Sequence, residues 1–179
     1  MAARYLQDLV ETLDGAVTQS GESLVALSRA SPVLLVFLRH AGCMFCREAL
    51  GDIARARPAI EGTGARITLV HMGDSQAIEK QVEKYGLRGV DRICDREQRL
   101  YAAFGLKRGK LGQLFRLRVL LRGFQAALLG GHGIGRLSAD ITQMPGLFLL
   151  DDGGIVRRFR HRTAADRPDY AALCTGFGV

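Results

Sequence analysis

The chain has 179 residues, 47% hydrophobic and 24% charged, which suffices for one hydrophobic core without cross-links. Its longest purely apolar run, residues 33–38, is strand-sized and far short of a membrane span. The formal charge is +7, and the excess is local: Arg99, Lys107, Arg108, Lys110, Arg116, Arg118, Arg122 and Arg136 lie in residues 98–139, which contain no Asp or Glu. Such a segment is either a solvated face or a site for an acidic ligand or partner. No stacking motif is interleaved with it, so nucleic acid is not expected.

In chain order, residues 4–13 space Leu6, Leu9, Val10 and Leu13 as an amphipathic helix. Acids interrupt this N-terminus where a secretory leader needs an apolar core, which predicts a cytoplasmic protein. Residues 17–27 predict an N-terminal β-hairpin turning at Ser20-Gly21. After Pro32, the run VLLVFLRH reads as a strand buried on both faces. Ala41-Gly42-Cys43-Met44-Phe45-Cys46 leads into a helix over 47–60, punctuated by Gly62 and Gly64.

A second buried strand is expected at 65–71, a helix at 75–85 stopped by Gly86, a short strand at 92–94 and a short helix at 98–104. Residues 111–128 predict an inserted basic helix with Leu114, Leu117, Leu121, Phe124 and Leu128 in one stripe. Val119 and Leu120 fall off that stripe and are the candidate contact of a homodimer. The following GGHGIG lacks a preceding strand and reads as a plain loop. Pro145 then introduces a strand, a turn at Asp151-Asp152-Gly153-Gly154, a second strand over 155–160 and a last helix over 166–177. No repeat or linker divides the chain, so a single domain over 1–179 is expected. Its class is α/β, with a central mixed sheet flanked by helices.

Cys43 and Cys46 carry the chemistry. A strand that hands over to a helix through Cys-x-x-Cys puts the first sulfur at the helix N-terminus, where free N–H groups and the positive end of the helix dipole stabilise an anion. A free thiol with pKa about 8.5 is only a few per cent thiolate at neutral pH; this placement can bring the pKa to about 7 or below. Cys46, one turn further in, is expected to be the more buried sulfur and to attack a mixed disulfide formed at Cys43. Arg39, His40 and Arg47 add positive potential. His40 either exchanges protons during thiol transfer or is a satisfied structural histidine. The competing reading is a chance spacing of two core cysteines.

Zinc takes four ligands, and neither a second Cys-x-x-Cys nor a His-x-x-x-His is present. No metal or cofactor is expected. Cys94 and Cys174 read as inert packing residues.

The run from Val33 to Leu50, and above all Phe37-x-Arg39-His40-x-x-Cys43-x-x-Cys46, resembles the peroxiredoxin-like AhpC/TSA family of the thioredoxin-like superfamily. The resemblance implies a thioredoxin-like fold and an antioxidant or thiol-reductase activity, with Cys43 attacking and Cys46 resolving. It implies a thiol reductant of thioredoxin or glutathione type and a disulfide or peroxide substrate. Some relatives of this kind reduce lipid-like peroxides or endoperoxides, and the basic segment would suit a carboxylate on such a substrate. It also makes Pro145 the candidate for the proline that faces the redox cysteines, cis in such folds; the other reading is an ordinary trans-proline at a strand start. Typical peroxiredoxins place Pro-x-x-x-Thr/Ser-x-x-Cys at the peroxidatic cysteine. Val36 and His40 stand at those positions relative to Cys43, and Arg39 and Cys43 relative to Cys46, so neither register keeps the pattern. Two alternatives to a dithiol oxidoreductase stay open: a thiol peroxidase acting on organic hydroperoxides, and a non-catalytic binding module.

Overall fold

The structure, a computed structural model, describes residues 2–108, 142–163 and 165–176, with side chains from residue 7 onward. The elements are α1 (Ala2–Asp14), α2 (Leu24–Ala30), β1 (Val33–Phe37), α3 (Met44–Glu61), β2 (Arg66–His71), α4 (Ser75–Lys84), β3 (Asp91–Cys94), α5 (Arg99–Ala103), β4 (Gly146–Asp151), β5 (Gly154–Arg160) and α6 (Tyr170–Cys174). The predicted inserted helix, its Val119 and Leu120, the GGHGIG loop and the basic residues Lys110, Arg116, Arg118, Arg122 and Arg136 lie outside the described residues.

Five strands form one mixed sheet in the order β3-β2-β1-β4-β5. β1 pairs in parallel with β2, and β2 with β3; β4 runs antiparallel to β1 and to β5. All five residues of β1 are buried, as its unbroken apolar sequence requires of a central strand covered on both sides. Alternation sorts its side chains. Leu34 and Val36, with Leu38 beyond the strand, meet Leu50 and Ile53 of α3, Ile78 and Val82 of α4 and Tyr170 of α6. Val33, Leu35 and Phe37 meet Leu13 of α1, Leu24 and Leu27 of α2 and Tyr101 of α5.

The expected hairpin over 17–27 is corrected to a turn with one antiparallel bridge, Val17 to Ser23, followed by α2. Ser23 explains the switch: its hydroxyl accepts from Ala26 N at 3.2 Å and caps a helix where the hairpin needed a second strand. The turn still shields a sheet edge. Gln19 N donates to Arg92 O at 3.0 Å, and Arg92 N donates to the Gln19 amide oxygen at 2.5 Å.

The last helix is shorter than expected. Pro168 disfavours helical backbone at Arg167, and Asp166 instead closes its own turn, accepting from Thr163 N at 3.0 Å and from the Thr163 hydroxyl at 2.6 Å. Asp169 then caps α6, accepting from Ala172 N at 3.0 Å.

One side chain pins the sheet where β1 and β2 end. The Tyr101 hydroxyl, fully within the core, donates to Leu38 O and lies 3.3 Å from Val70 O. Its ring meets Phe37 edge-on at 4.9 Å, and Phe37 in turn packs against Phe104 and Phe148. Removing the hydroxyl leaves a buried carbonyl short of a donor. Tyr101→Phe should therefore lower the unfolding free energy by about 1–3 kcal/mol in a urea titration; an unchanged midpoint would show the bond to be idle.

Candidate active site

Past Phe37 the chain stays in line for one residue, Leu38 N donating to Val70 O at 2.8 Å, and then turns out of the sheet through Arg39, His40, Ala41 and Gly42. Cys43 N donates to His40 O at 3.0 Å and closes that turn. Arg47 reaches back from the first turn of α3, its Nε donating to Ala41 O at 2.8 Å. The two bonds fix the loop from both ends.

Cys43 is the N-cap of α3, with extended backbone and no capping bond from its own side chain. Its sulfur is thus left to a different partner. Arg39 Nη2 donates to Cys43 Sγ at 2.8 Å, and Arg39 N donates to Cys46 Sγ at 3.2 Å. One residue holds both sulfurs, through its side chain and its backbone. Arg39, Cys43 and Cys46 are only 6%, 6% and 4% exposed, so these contacts operate with little water between them. Both cysteines are free thiols.

The two sulfurs are electrically unlike. The hydrogen bond from the Cys46 thiol and the attraction of Arg39 hold Cys43 well below the usual thiol range, against burial, which pushes it up. Burial lifts Cys46 well above that range, and so do its bond to Cys43 and the charge there. The arrangement favours the thiolate at 43 and the thiol at 46. Burial opposes the charge on Arg39, but the two cysteines outweigh it and raise its pKa.

His40 is 1% exposed, and burial holds its pKa below the usual imidazole value; Arg39 and Arg47 push the same way and Cys43 the other. Its Nδ1 is buried without a hydrogen-bond partner, and its Cβ backs onto Gly73, where an added Cβ would lie 3.3 Å from it. It is therefore a neutral, packed residue in the resting state.

A cleft of about 20 Å³, room for a single water, opens beside Cys46. Arg39, Phe45, Pro145, Tyr170 and His161 line it, together with the acids Glu48, Asp52 and Asp166. The expected site residues Arg39, Cys46 and Pro145 thus meet on one wall, with Cys43 joined through Arg39. The Met144–Pro145 peptide is trans, since no cis bond occurs among the described residues, which decides between the two conformations the sequence left open.

Several residues here escaped the sequence reading. His161 follows β5, and its pKa is pushed down to about 4 by burial, with Asp166 opposing. Its Nδ1 has no hydrogen-bond partner, and its ring stands edge-on to Phe159 at 5.1 Å. Arg167 bridges the rim, its Nε 2.7 Å from Asp52 and its Nη1 3.5 Å from Glu48. His161 and Arg167 lie more than a hundred positions from the Cys-x-x-Cys, and the pairing of β4 with β1 and the packing of α3 on α6 bring them there. The one local signal was Thr163-x-x-Asp166, the spacing of a side-chain-closed turn.

Cys174 is fully buried and its thiol is pushed up to about 11 by that burial, in keeping with a packing role. Cys94 is not a packing residue: it is exposed, its thiol 3.8 Å from Gly73 O. Among the described residues no group of three or more His, Cys, Asp or Glu could hold a metal ion.

Against known proteins, the AhpC/TSA antioxidant enzyme family matches residues 52–165 of this chain, a span that begins just after the Cys-x-x-Cys. A prostamide/prostaglandin F synthase of Salmo salar is 29% identical over 148 residues, covering 75% of this chain and 68% of that protein. The prostamide/prostaglandin F synthase of Danio rerio is 25% identical over 182 residues, 96% of this chain and 84% of its own. Among solved structures, peroxidoxin BcpB of Mycobacterium tuberculosis superposes with a TM-score of 0.60 at 17% identity, over 89% of this chain and 86% of that one, a likeness of fold. The strand order, the helices on both faces and the family match together place the chain in the AhpC/TSA antioxidant enzyme family, thiol-dependent oxidoreductases of the thioredoxin-like superfamily.

Proposed function

We propose that the chain is a dithiol oxidoreductase in which Cys43 attacks and Cys46 resolves, and that its substrate is the O–O bond of an apolar, lipid-like peroxide. The observation that carries this reading is Arg39 Nη2 at 2.8 Å from the sulfur that caps α3. That contact and the hydrogen bond from Cys46 both favour the thiolate at residue 43, while burial keeps the proton on the second sulfur. The names of the Salmo salar and Danio rerio relatives, which place both with prostaglandin chemistry, support a lipid-like substrate. So do the half-buried Met44 and Phe45 beside the sulfurs and Pro145 on the cleft.

In the first step the Cys43 thiolate attacks one peroxide oxygen. The O–O bond breaks, and the departing alkoxide takes a proton from solvent to become an alcohol. The Cys43 sulfur keeps the other oxygen. Cys46 then loses its proton and attacks that sulfur, expelling the oxygen as water from a hydroperoxide or as a second alcohol group from an endoperoxide. The enzyme is left with a Cys43–Cys46 disulfide, having given up two electrons. Arg39 serves both steps, since its guanidinium holds the attacking thiolate and its backbone N–H faces the resolving sulfur. Arg47 positions the loop by its bond to Ala41 O. A thiol reductant completes the cycle.

Cys43→Ser should abolish peroxide-dependent thiol consumption, whereas Cys46→Ser should consume one equivalent and stop, with the oxidised or mixed-disulfide form at residue 43 visible as a mass shift. Full turnover in Cys43→Ser would remove the assignment.

The pH dependence of alkylation provides a separate check. In the wild type the Cys43 rate should rise through a pKa well below that of a free thiol, because the thiolate is the reacting form. Cys46→Ala deletes the donor that contributes most to this, so the midpoint should move up. A midpoint at the free-thiol value in the wild type would defeat the ionised-nucleophile reading.

A further inference from the structure

The hydrogen bonds that favour the Cys43 thiolate exist only in the reduced protein. When Cys43 and Cys46 join, the anion facing Arg39 Nη2 becomes a neutral disulfide sulfur, and the thiol that donated to it has lost its hydrogen. A charge-assisted bond in a nearly water-free site is thereby exchanged for a weak contact. Any group that stabilises the dithiol but not the disulfide makes the disulfide easier to reduce. Arg39 can hardly recover the loss by turning into solvent, since it is 6% exposed and sits between β1 and the cleft.

Access points the same way. The sulfurs are recessed, with Cys43 6% and Cys46 4% exposed. A folded dithiol protein would have to present its own cysteine deep in that recess, whereas a small monothiol needs only one extended arm.

We infer that Arg39 sets the Cys43–Cys46 couple at the oxidising end of the Cys-x-x-Cys range, so that the electron donor is a low-molecular-weight monothiol of the glutathione class rather than a strongly reducing dithiol protein. This rests on the proposed pairing of Cys43 with Cys46. One monothiolate attacks Cys43 Sγ and breaks the disulfide; Cys46 leaves and takes up a proton. A second monothiolate attacks the sulfur of the first, breaking the mixed disulfide and releasing Cys43 as a thiolate onto Arg39. The two donors end as their own disulfide, and the protein has gained two electrons. The second release is the favoured one, because the better-stabilised thiolate is the better leaving group.

The test is an equilibrium measurement on the full chain with Cys94→Ser, so that the exposed thiol does not itself take up the reagent. The protein is equilibrated with reduced and oxidised glutathione set at the cytosolic poise, quenched and alkylated, and the disulfide fraction is read by mass. The pair should be mostly reduced. Arg39→Gln should shift the equilibrium at least tenfold toward the disulfide, a change of about 30 mV for a two-electron couple. Arg39→Lys, which keeps the charge, should shift it less and serves if the glutamine variant fails to fold. A pair that stays mostly disulfide in glutathione yet is reduced by thioredoxin and its reductase would overturn the inference alone, as would an unchanged equilibrium in a folded Arg39→Gln. If no Cys43–Cys46 disulfide forms even with diamide, the proposed function falls with it.

Discussion

Arg39 and Cys43 are mutually dependent. Neither a guanidinium nor a thiolate is stable alone in a site that is about nine-tenths closed to water, because each would lose its hydration and gain nothing. Together, at 2.8 Å, each supplies what the other lost. The balance is visible on both partners: burial opposes the charge on each, and it is overridden on Cys43 by the hydrogen bond from Cys46 together with the attraction of Arg39, and on Arg39 by the two cysteines together. A hydrophobic pair of the same volume would satisfy the packing as well, but it could not ionise, and reactivity rather than stability accounts for a cation in this place.

That contact needs a scaffold accurate to a fraction of an ångström, and the fold provides it through the end of β1. Leu38 is fixed on one side by Val70 O and on the other by the Tyr101 hydroxyl, so the next residue, Arg39, leaves the sheet from a fixed point. Arg47 and the turn at Cys43 hold the far end of the loop. The aromatic cluster beneath is therefore part of the site's mechanics. Pro145 enters from β4, whose antiparallel register places Gly146 opposite Phe37, and so brings the turn before β4 to the same sheet end as the Cys-x-x-Cys.

This arrangement also decides what could be read from the chain. The unbroken apolar run at 33–37 and the Asp-Asp-Gly-Gly turn identify β1 and the β4–β5 hairpin, because their signals are local and unopposed. The Cys-x-x-Cys at a strand-to-helix handover is equally local, and Arg39 lies within its reach. Residues 17–27 were ambiguous for a physical reason: the Ser20-Gly21 turn suggests a hairpin, but Leu24 and Leu27 are also one helical turn apart, and the Ser23 cap tips the balance. His161 and Arg167 were not legible, since their proximity to Cys46 is created by strand pairing and by α3 packing on α6. Nothing in the sequence distinguishes Arg39, which contacts sulfur, from Arg47, which contacts a carbonyl. That depends on the helical direction of one side chain and the loop direction of the other.

The unlikeness of the two sulfurs gives the proposed chemistry its order. With Cys43 charged, Cys46 is prevented from ionising by the neighbouring negative charge as well as by burial. Once Cys43 has bonded to oxygen or to another sulfur, that repulsion ends and the hydrogen bond that held the Cys46 proton has no anionic acceptor. Burial still opposes ionisation, but Arg39 now has one sulfur fewer to stabilise and its attraction falls on Cys46. The resolving thiol thus becomes reactive as a consequence of the first step and not before it. A pair in which both thiols ionised readily would close on any oxidant at either sulfur; this one directs the first attack to the sulfur at the helix terminus and reserves the buried one for release.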